Sequence, residues 1–194
     1  MKILFVNACV RGAESNTLKL CRGAVEALQQ QNPEATVTEV DLNKERPAPL
    51  YPEDLLLRSE LRGAGDFSHS LFAYAKEFAA ADMIVIGAPY WDLNFPAVLK
   101  IYLERICAGD VTFSYAAGGP QGLCQAKGLL FVTSSGWPIA HHLGFEEIKA
   151  LCQDFFGIED VRYFALEGLE MGIDVAEAVA QGQADIQALI AGWQ

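Results

Sequence analysis

The chain has 194 residues, of which 52% are hydrophobic and 20% are charged, and its formal net charge is −11. This length predicts one domain spanning residues 1–194 with a sizeable core, and the composition excludes a disordered chain. The negative charge argues against nucleic acid or an anionic membrane surface as partner.

The first apolar run, Ile3 to Val6, is too short for a secretory signal, and no apolar run approaches the roughly 18 to 20 residues of a membrane span. We therefore expect a cytoplasmic protein without membrane association. The five cysteines are scattered and form no C-x-x-C pair, so they predict neither a disulfide framework nor a zinc site. We interpret them as small buried hydrophobes. The three histidines show no ligand spacing either, and we expect no metal.

Strands and helices alternate along the chain. Short apolar or alternating runs predict strands at residues 2–7, 35–42, 83–86, 128–133 and 161–166. Helical spacing predicts helices at 18–31, 53–62, 67–81, 97–108, 145–156 and 173–193, with an irregular connection at 43–52. Together they predict an α/β fold, a doubly wound five-stranded parallel sheet of order 2-1-3-4-5 with helices on both faces.

The first strand leads into a helix start that is rich in hydroxyl and amide side chains. Ser15, Asn16 and Thr17 can donate hydrogen bonds beside the free N–H groups of the first helical turn, which suits a phosphate monoester. Arg11 adds a positive charge. Neither G-x-G-x-x-G nor G-x-x-x-x-G-K-[ST] is present, which excludes those two nucleotide loops. The alternative is ordinary N-capping by Ser15 or Asn16.

The third strand ends in a loop with more aromatic and turn residues than a simple turn needs. Its sequence is Pro89, Tyr90, Trp91, Asp92 and Leu93. Open α/β sheets bind ligands at the carboxyl ends of such strands, so we predict that this loop wraps one edge of a flat conjugated cofactor. Alternatively, Tyr90 and Trp91 are core or interface aromatics, and Asp92 caps the following helix.

The fourth strand is followed by the small-residue turn Ser134, Ser135 and Gly136, and then by Trp137. Small residues let the backbone approach a ring closely. In a 2-1-3-4-5 sheet the ends of strands one, three and four are neighbours, so the three segments together predict a pocket for a phosphorylated flat ring. His141 and the next histidine either donate a proton to an acceptor or are solvated loop residues.

These segments resemble the flavodoxin-like FMN-dependent NAD(P)H:quinone oxidoreductases, and among them the FMN-dependent azoreductases. The resemblance covers essentially the whole chain in order. It is carried by Ile86-Gly87-Ala88-Pro89-Tyr90-Trp91-Asp92-Leu93-Asn94-Phe95-Pro96, Leu99-Lys100, Arg105, Phe113-Ser114-Tyr115, Gly119-Pro120-Gln121-Gly122-Leu123 and Thr133-Ser134-Ser135-Gly136.

The resemblance implies a non-covalent FMN, with its phosphate at the first helix and its ring against the two later loops. It also implies a homodimer with the ring near the subunit interface, so that Tyr115 and Trp137 help to form the substrate slot. The residues expected to contact FMN are Arg11, Ser15, Asn16, Thr17, Pro89, Tyr90, Trp91, Asp92, Leu93, Ser134, Ser135, Gly136 and Trp137.

Two departures from the family pattern leave the substrate preference and the choice between NADH and NADPH open. The family's serine-rich stretch after strand one is here Ala8-Cys9-Val10-Arg11. Ser135 and Trp137 stand where azoreductases often carry arginine and glycine.

The implied reaction is a two-electron ping-pong cycle, in which NAD(P)H passes hydride to flavin N5 and a quinone or azo compound then takes its place. We expect backbone N–H groups near Leu93 and Asn94 to bond the ring edge, and those near Ser135 and Gly136 to stabilise developing charge. No side chain is required as a catalyst, and His141 is only a weak candidate. The alternatives are a flavodoxin-type one-electron carrier and a flavin-free interaction protein of the same fold.

Overall fold

The structure is a computed structural model that describes residues 1–116 and 118–193. Ala117, which falls within the family-like segment at 110–123, and Gln194 lie outside the described residues.

Seven strands are present in the described ranges. They are β1 (Lys2–Asn7), β2 (Thr36–Asp41), β3 (Met83–Gly87), β4 (Phe113–Ala116), β5 (Gly119–Gly122), β6 (Gly128–Ser134) and β7 (Asp160–Leu166). Five of them form a parallel sheet of order β2-β1-β3-β6-β7, which is the predicted 2-1-3-4-5 order once β4 and β5 are set aside. The predicted fold class is confirmed. β4 and β5 pair with each other as a separate antiparallel hairpin, which the periodicity analysis did not include.

The helices connect these strands. They are α1 (Asn16–Gln31), α2 (Leu42–Glu45), α3 (Pro52–Gly63), α4 (Ala73–Ala79), α5 (Ala97–Ile106), α6 (Leu143–Ala150) and α7 (Val175–Ala191). A π-helical stretch, Leu151–Phe156, continues α6 and ends at Gly157, whose φ of 75° suits a helix terminus. No helix in residues 1–116 and 118–193 combines the length and the apolar character that crossing a bilayer requires.

The helix predicted at 67–81 is wrong in its first half. Ser68 N–H donates to Asp66 Oδ1 at 2.9 Å and Leu71 N–H donates to His69 Nδ1 at 3.2 Å. Side-chain acceptors that bind nearby N–H groups compete with helix formation, so only a 3₁₀ turn, Ser70–Phe72, precedes α4. The connection predicted as irregular at 43–52 contains most of α2, which ends where Arg46 adopts a left-handed φ of 48°.

Both faces of the sheet are buried, as the near-continuous apolar strands predict. Along β3, Ile84 and Ile86 pack in the core with α5 and α6, whereas Met83 and Val85 pack in the core with α1 and α7. At the carboxyl edge, Asn7 of β1 lies opposite Gly87 of β3, and Gly87 lies opposite Val132 of β6. The loops that leave these three strands therefore start side by side.

Candidate functional site

A cleft of about 280 Å³ lies where β1, β3 and β6 end. Its lining contains most of the predicted site residues together with two that were not predicted. They are Arg11, Ser15, Asn16, Thr17, Pro89, Tyr90, Trp91, Ser134, Ser135, Gly136, Leu169 and Glu170. Asp92 and Trp137 are next to lining residues in the chain, and Leu93 is one position further away, but none of the three lines the cleft.

A larger cavity of about 410 Å³ lies at the opposite edge of the sheet, between β7 and the end of α7. Three of its polar residues are bound to one another. Arg162 pairs with Asp160 at 2.8 Å, and Trp193 Nε1 donates to the same carboxylate at 2.7 Å. Because parallel sheets bind their ligands at the carboxyl ends of the strands, we assign the functional site to the smaller cleft.

The start of α1 presents hydrogen-bond donors to the cleft. Ser15 is the N-cap, and its Oγ accepts the N–H of Leu18 at 3.2 Å, so the capping alternative holds for this residue. As an acceptor in that bond, the Ser15 hydroxyl keeps its own hydrogen for a further partner. The N–H groups of Asn16 and Thr17 have no acceptor among the described residues. A helix start with unsatisfied N–H groups is a favourable place for an anion.

Thr17 connects the helix start to the end of β6. Its hydroxyl lies 2.7 Å from the hydroxyl of Ser134, and both residues are buried. Two hydroxyl groups that share one hydrogen bond use only one of their two hydrogens, so one donor remains.

The loop after β3 contains a tight, strained turn. Trp91 and Asn94 exchange two backbone hydrogen bonds, of 2.9 and 2.8 Å, around Asp92 and Leu93. These two central residues adopt left-handed φ angles of 51° and 66°, which is uncommon for non-glycine residues. Strain of this kind collects at ligand-binding sites. The side chain of Trp91 is 43% exposed beside the cleft.

The capping role considered for Asp92 is wrong. Pro96 is the N-cap residue of α5, and the helix start receives no side-chain cap hydrogen bond. The turn is closed instead by Asn94, whose Oδ1 accepts the N–H of Phe95 at 2.9 Å.

The loop after β7 is bound to the turn after β6. Ser135 N–H donates to Leu166 O, Leu169 N–H to Ser135 O and Glu170 N–H to Gly136 O, at 3.0 to 3.1 Å. Leu169 and Glu170 thereby reach the cleft. The sequence analysis missed both, although their position directly after the last parallel strand was a usable signal, because that strand ends at the same edge.

Gly136 lies in close contact with the side chain of Glu170. A Cβ atom there would lie 2.6 Å from Cδ of Glu170. The glutamate side chain therefore lies directly over the glycine, at the wall of the cleft.

Two of the backbone donors expected to serve a bound ring are already used. Asn94 N–H donates to Trp91 O at 2.8 Å, and Ser135 N–H donates to Leu166 O at 3.0 Å. Within the described part of the chain, the N–H groups of Leu93 and Gly136 have no acceptor. The expectation is thus corrected to Leu93 and Gly136.

The two adjacent histidines lie near the cleft in different ways. The backbone carbonyl of His141 accepts the hydroxyl of Tyr90 at 3.2 Å, and its side chain is exposed. Nδ1 of His142 lies 3.2 Å from the hydroxyl of Tyr163. Burial, and then the neighbouring Glu167 carboxylate, raises the pKa of Tyr163 to about 12, so this hydroxyl stays protonated at neutral pH.

The two aromatics expected in a substrate slot are strongly exposed. Trp137 is 64% exposed, and its backbone carbonyl accepts Ser135 Oγ at 2.6 Å. Tyr115 is 65% exposed on the β4–β5 hairpin, where its ring packs edge-on against Phe113. Tyr115 does not line the cleft.

The cysteines are free, and Cys9, Cys21 and Cys152 are buried, as interpreted from the sequence. A hydrogen bond from the Cys21 thiol is the largest influence on the Cys9 thiol and lowers its pKa against the opposing effect of burial. Burial raises the pKa of Cys21. Cys107 and Cys124 are half-buried, and burial raises their pKa values to about 11 and about 12.

Known proteins resemble this chain over nearly its whole length. Residues 1–190 match the family described as having the flavodoxin-like fold. An FMN-dependent NADH:quinone oxidoreductase of Clostridium perfringens is 34% identical over 189 residues, which cover 93% of each chain. An azoreductase from Bacillus anthracis superposes with a TM-score of 0.82 at 25% identity, covering 97% of this chain and 98% of that one.

A second solved structure shares the fold at lower identity. It is an FMN-dependent NADH-azoreductase from Bacillus anthracis in complex with FMN, with a TM-score of 0.80, 20% identity and 98% of both chains covered.

Proposed function

The chain belongs to the flavodoxin-like family, and we propose that it is an FMN-dependent NADH:quinone oxidoreductase whose acceptors are quinones or azo compounds. One observation supports this most strongly. The donor-rich start of α1, residues Pro89 to Trp91 of the loop after β3 and the small-residue turn after β6 all line a single cleft. An anionic tail and a flat ring in one molecule match that combination.

The donors at the start of α1 fit the phosphate of FMN. The N–H groups of Asn16 and Thr17 and the hydroxyl of Ser15 would hold its oxygens, assisted by the positive end of the helix dipole. Arg11 lines the same cleft and has no ion-pair partner within the described ranges, so its charge is available to the phosphate.

The two turns fit the ring. Pro89, Tyr90 and Trp91 line the cleft from the loop after β3, and Ser134 to Gly136 line it from the turn after β6. The unused N–H groups of Leu93 and Gly136 are the donors that we assign to the polar edge of the ring. The two turns hold these N–H groups in place, so the groups do not have to reorient when negative charge develops near them.

When bound, FMN would supply two-electron hydride chemistry between NADH and the acceptor, for which we expect a ping-pong cycle. The chain binds and orients the reactants. Trp91 offers a flat apolar face for stacking, and the loop after β7 closes the cleft through its bonds to Ser135 and Gly136. No side-chain nucleophile is required, and we assign His141 no catalytic role.

We further propose that the enzyme is a homodimer. Large apolar side chains are exposed on α3, on the hairpin and beside the cleft. They include Leu55, Leu56, Tyr115 and Trp137. A second copy that covers them would also complete the substrate slot beside Tyr115. Light scattering should give twice the mass of one chain, and a monomer at micromolar concentration would contradict this assignment.

A reducing, cytoplasmic location completes the proposal, and the five free cysteines support it. Titration of thiols in the denatured protein, taken directly from its source cells under acid quench, should find all five reduced.

Steady-state kinetics test the proposed reaction. The protein reconstituted with FMN should oxidise NADH when menadione is present, with parallel double-reciprocal plots, as a ping-pong cycle requires. The control is an equal concentration of free FMN. NADH consumption no faster than that control would contradict the enzyme assignment, and tight FMN binding without it would favour a one-electron carrier.

A further inference from the structure

Asn7, the last residue of β1, forms hydrogen bonds through both the nitrogen and the oxygen of its side-chain amide. It is only 3% exposed. Its Nδ2 donates to Glu39 Oε1 at 3.0 Å, and its Oδ1 accepts the N–H of Cys9 at 3.0 Å. A buried amide that loses either partner is left with an unsatisfied polar group, which is destabilising.

A ladder of backbone hydrogen bonds extends from this amide to the start of α1. Cys9 N–H is held by Asn7, Cys9 O accepts the N–H of Gly12 at 3.0 Å, and Gly12 O accepts the N–H of Ser15 at 2.9 Å. Each step fixes the residue that begins the next. The position of the N-cap Ser15 therefore depends on the orientation of the Asn7 amide.

Glu39 on β2 determines which way that amide faces. Its carboxylate lies 2.7 Å from the guanidinium of Arg22 on α1, which stacks over the ring of Phe5. A carboxylate accepts but cannot donate, so it selects the NH₂ side of Asn7 and directs the carbonyl side to Cys9. The Arg22 side chain is about half exposed, so its ion pair with Glu39 contributes little to the free energy of folding.

We propose that Asn7, oriented by Glu39, is a positioning residue that sets the affinity of the cleft for the phosphate of FMN. The proposal rests on the function proposed above. Asn7 does not line the cleft, and the described hydrogen bonds of its side chain go to Glu39 and Cys9, outside the ring loops. Its effect should therefore fall on the phosphate end of the ligand alone.

The test compares FMN with riboflavin, which has the same ring and ribityl chain but lacks the phosphate. Fluorescence titration should show Asn7→Ala binding FMN about tenfold more weakly than the wild type, with riboflavin affinity changed by less than about twofold. Glu39→Ala, at a position where the side chain is only 24% exposed, should weaken FMN binding about threefold to tenfold in the same selective way.

A double variant that exchanges the carboxylate and the amide between positions 7 and 39 tests whether FMN affinity can be restored. Asn7→Asp keeps the acceptor for Cys9 N–H but sets a second carboxylate against Glu39, and it should weaken FMN binding about tenfold. Asn7→Asp combined with Glu39→Gln has the net charge of the wild type. The amide introduced at position 39 can donate a hydrogen bond to the carboxylate introduced at position 7, so the contact between the two side chains is restored. Its FMN affinity should return to within about threefold of the wild type.

Thr112→Val is the matched stability control. The Thr112 hydroxyl is fully buried, donates to Ile106 O at 2.6 Å and accepts Ala108 N–H at 3.2 Å, outside the cleft. This variant should lower the melting temperature without changing the ratio of the FMN and riboflavin affinities.

Two results would overturn the proposal, and they have different consequences for the assignment of FMN. If Asn7→Ala and Glu39→Ala keep the wild-type ratio of FMN to riboflavin affinity, the positioning role is wrong while the cofactor assignment stands. If the wild type itself binds FMN no more tightly than riboflavin, the phosphate site and the positioning role are both wrong.

Discussion

The hydroxyl oxygens of Thr17 and Ser134 lie 2.7 Å apart although 117 positions separate the two residues in the chain. One belongs to the first turn of α1 and the other to the end of β6. The bond therefore joins the part of the cleft assigned to the phosphate of FMN to the part assigned to its ring.

Removing either hydroxyl should weaken FMN binding. Thr17→Val keeps the side-chain volume but leaves the buried Ser134 hydroxyl without its partner, which should cost about 1 kcal/mol of folding stability and reduce FMN affinity about tenfold. Fluorescence titration and thermal unfolding measure the two effects. In a double-mutant cycle with Ser134→Ala the losses should not add, and strict additivity would show that the two hydroxyls act independently.

The left-handed turn after β3 should respond to glycine and to β-branched residues in opposite directions. Leu93→Gly removes the steric penalty of the φ of 66° and should leave stability unchanged or raise it by up to about 1 kcal/mol. Leu93→Val should lower stability by about 1 kcal/mol or more, because β-branched residues are disfavoured there. Urea unfolding checks both, and equal effects would mean that this backbone conformation is absent in solution.

Gly136 and Glu170 should behave as a coupled pair. Gly136→Ala places a methyl group where the Glu170 carboxylate lies, and only the flexible end of that side chain must move. The variant should therefore fold, with FMN affinity reduced several-fold as the glutamate is pushed into the cleft. Adding Glu170→Ala should recover most of the affinity measured by titration. A double variant no better than Gly136→Ala would exclude Glu170 as the cause.

Trp91 and Trp193 should separate cofactor effects from stability effects. Trp91 is exposed beside the cleft, so Trp91→Ala should change the visible spectrum and turnover of the FMN-loaded protein with little loss of stability. Trp193 donates to Asp160 and stacks on Arg162 at the opposite edge, so Trp193→Ala should lower the melting temperature and leave the flavin spectrum unchanged. The reverse pattern would place the ring elsewhere.

The hydrogen bonds that Arg162 and Trp193 donate to the Asp160 carboxylate should make folding stability depend on pH. Hydrogen bonds from Arg162, and then from Trp193, hold the pKa of Asp160 below its usual value. The resulting stabilisation is present above the ordinary carboxyl pKa and is lost as the pH falls through the lowered one. Asp160→Asn should thus cost up to about 1 kcal/mol at neutral pH, because the pair is partly exposed.

Once the pH falls below the lowered pKa of Asp160, the difference in stability between the wild type and Asp160→Asn should vanish, since the wild-type carboxylate is then protonated and uncharged. Chemical denaturation at several pH values measures it. A difference that stays constant from neutral to acid pH would contradict the role of the charge.

The sequence predicted the sheet well because buried parallel strands such as β3 and β6 are short, continuous apolar runs with clear boundaries. The order of the strands then determined which loops meet, and this brought Thr17, Trp91 and Ser134 into one predicted site. The loops that contain these residues meet because of the order of the strands in the sheet, and no single sequence motif predicts the site.

Local side-chain chemistry and irregular backbone were harder to predict. His69 and Asp66 bind nearby N–H groups and shorten α4, an effect that apolar periodicity does not register. The position of Glu170 after the last parallel strand indicates which edge of the sheet it reaches, but its hydrogen bond to Gly136 is a long-range contact that apolar periodicity does not show. The amide of Asn7 depends on its partner Glu39 in the same way.

The most direct test of the proposed function is an absorption spectrum of the FMN-loaded protein mixed with NADH in the absence of oxygen. The flavin band should disappear with one equivalent of NADH and return when menadione is added. A protein that stays colourless after incubation with FMN, or an FMN-loaded protein whose spectrum NADH leaves unchanged, would contradict the proposal that the cleft between α1, the β3 loop and the β6 turn is the site of an FMN-dependent oxidoreductase.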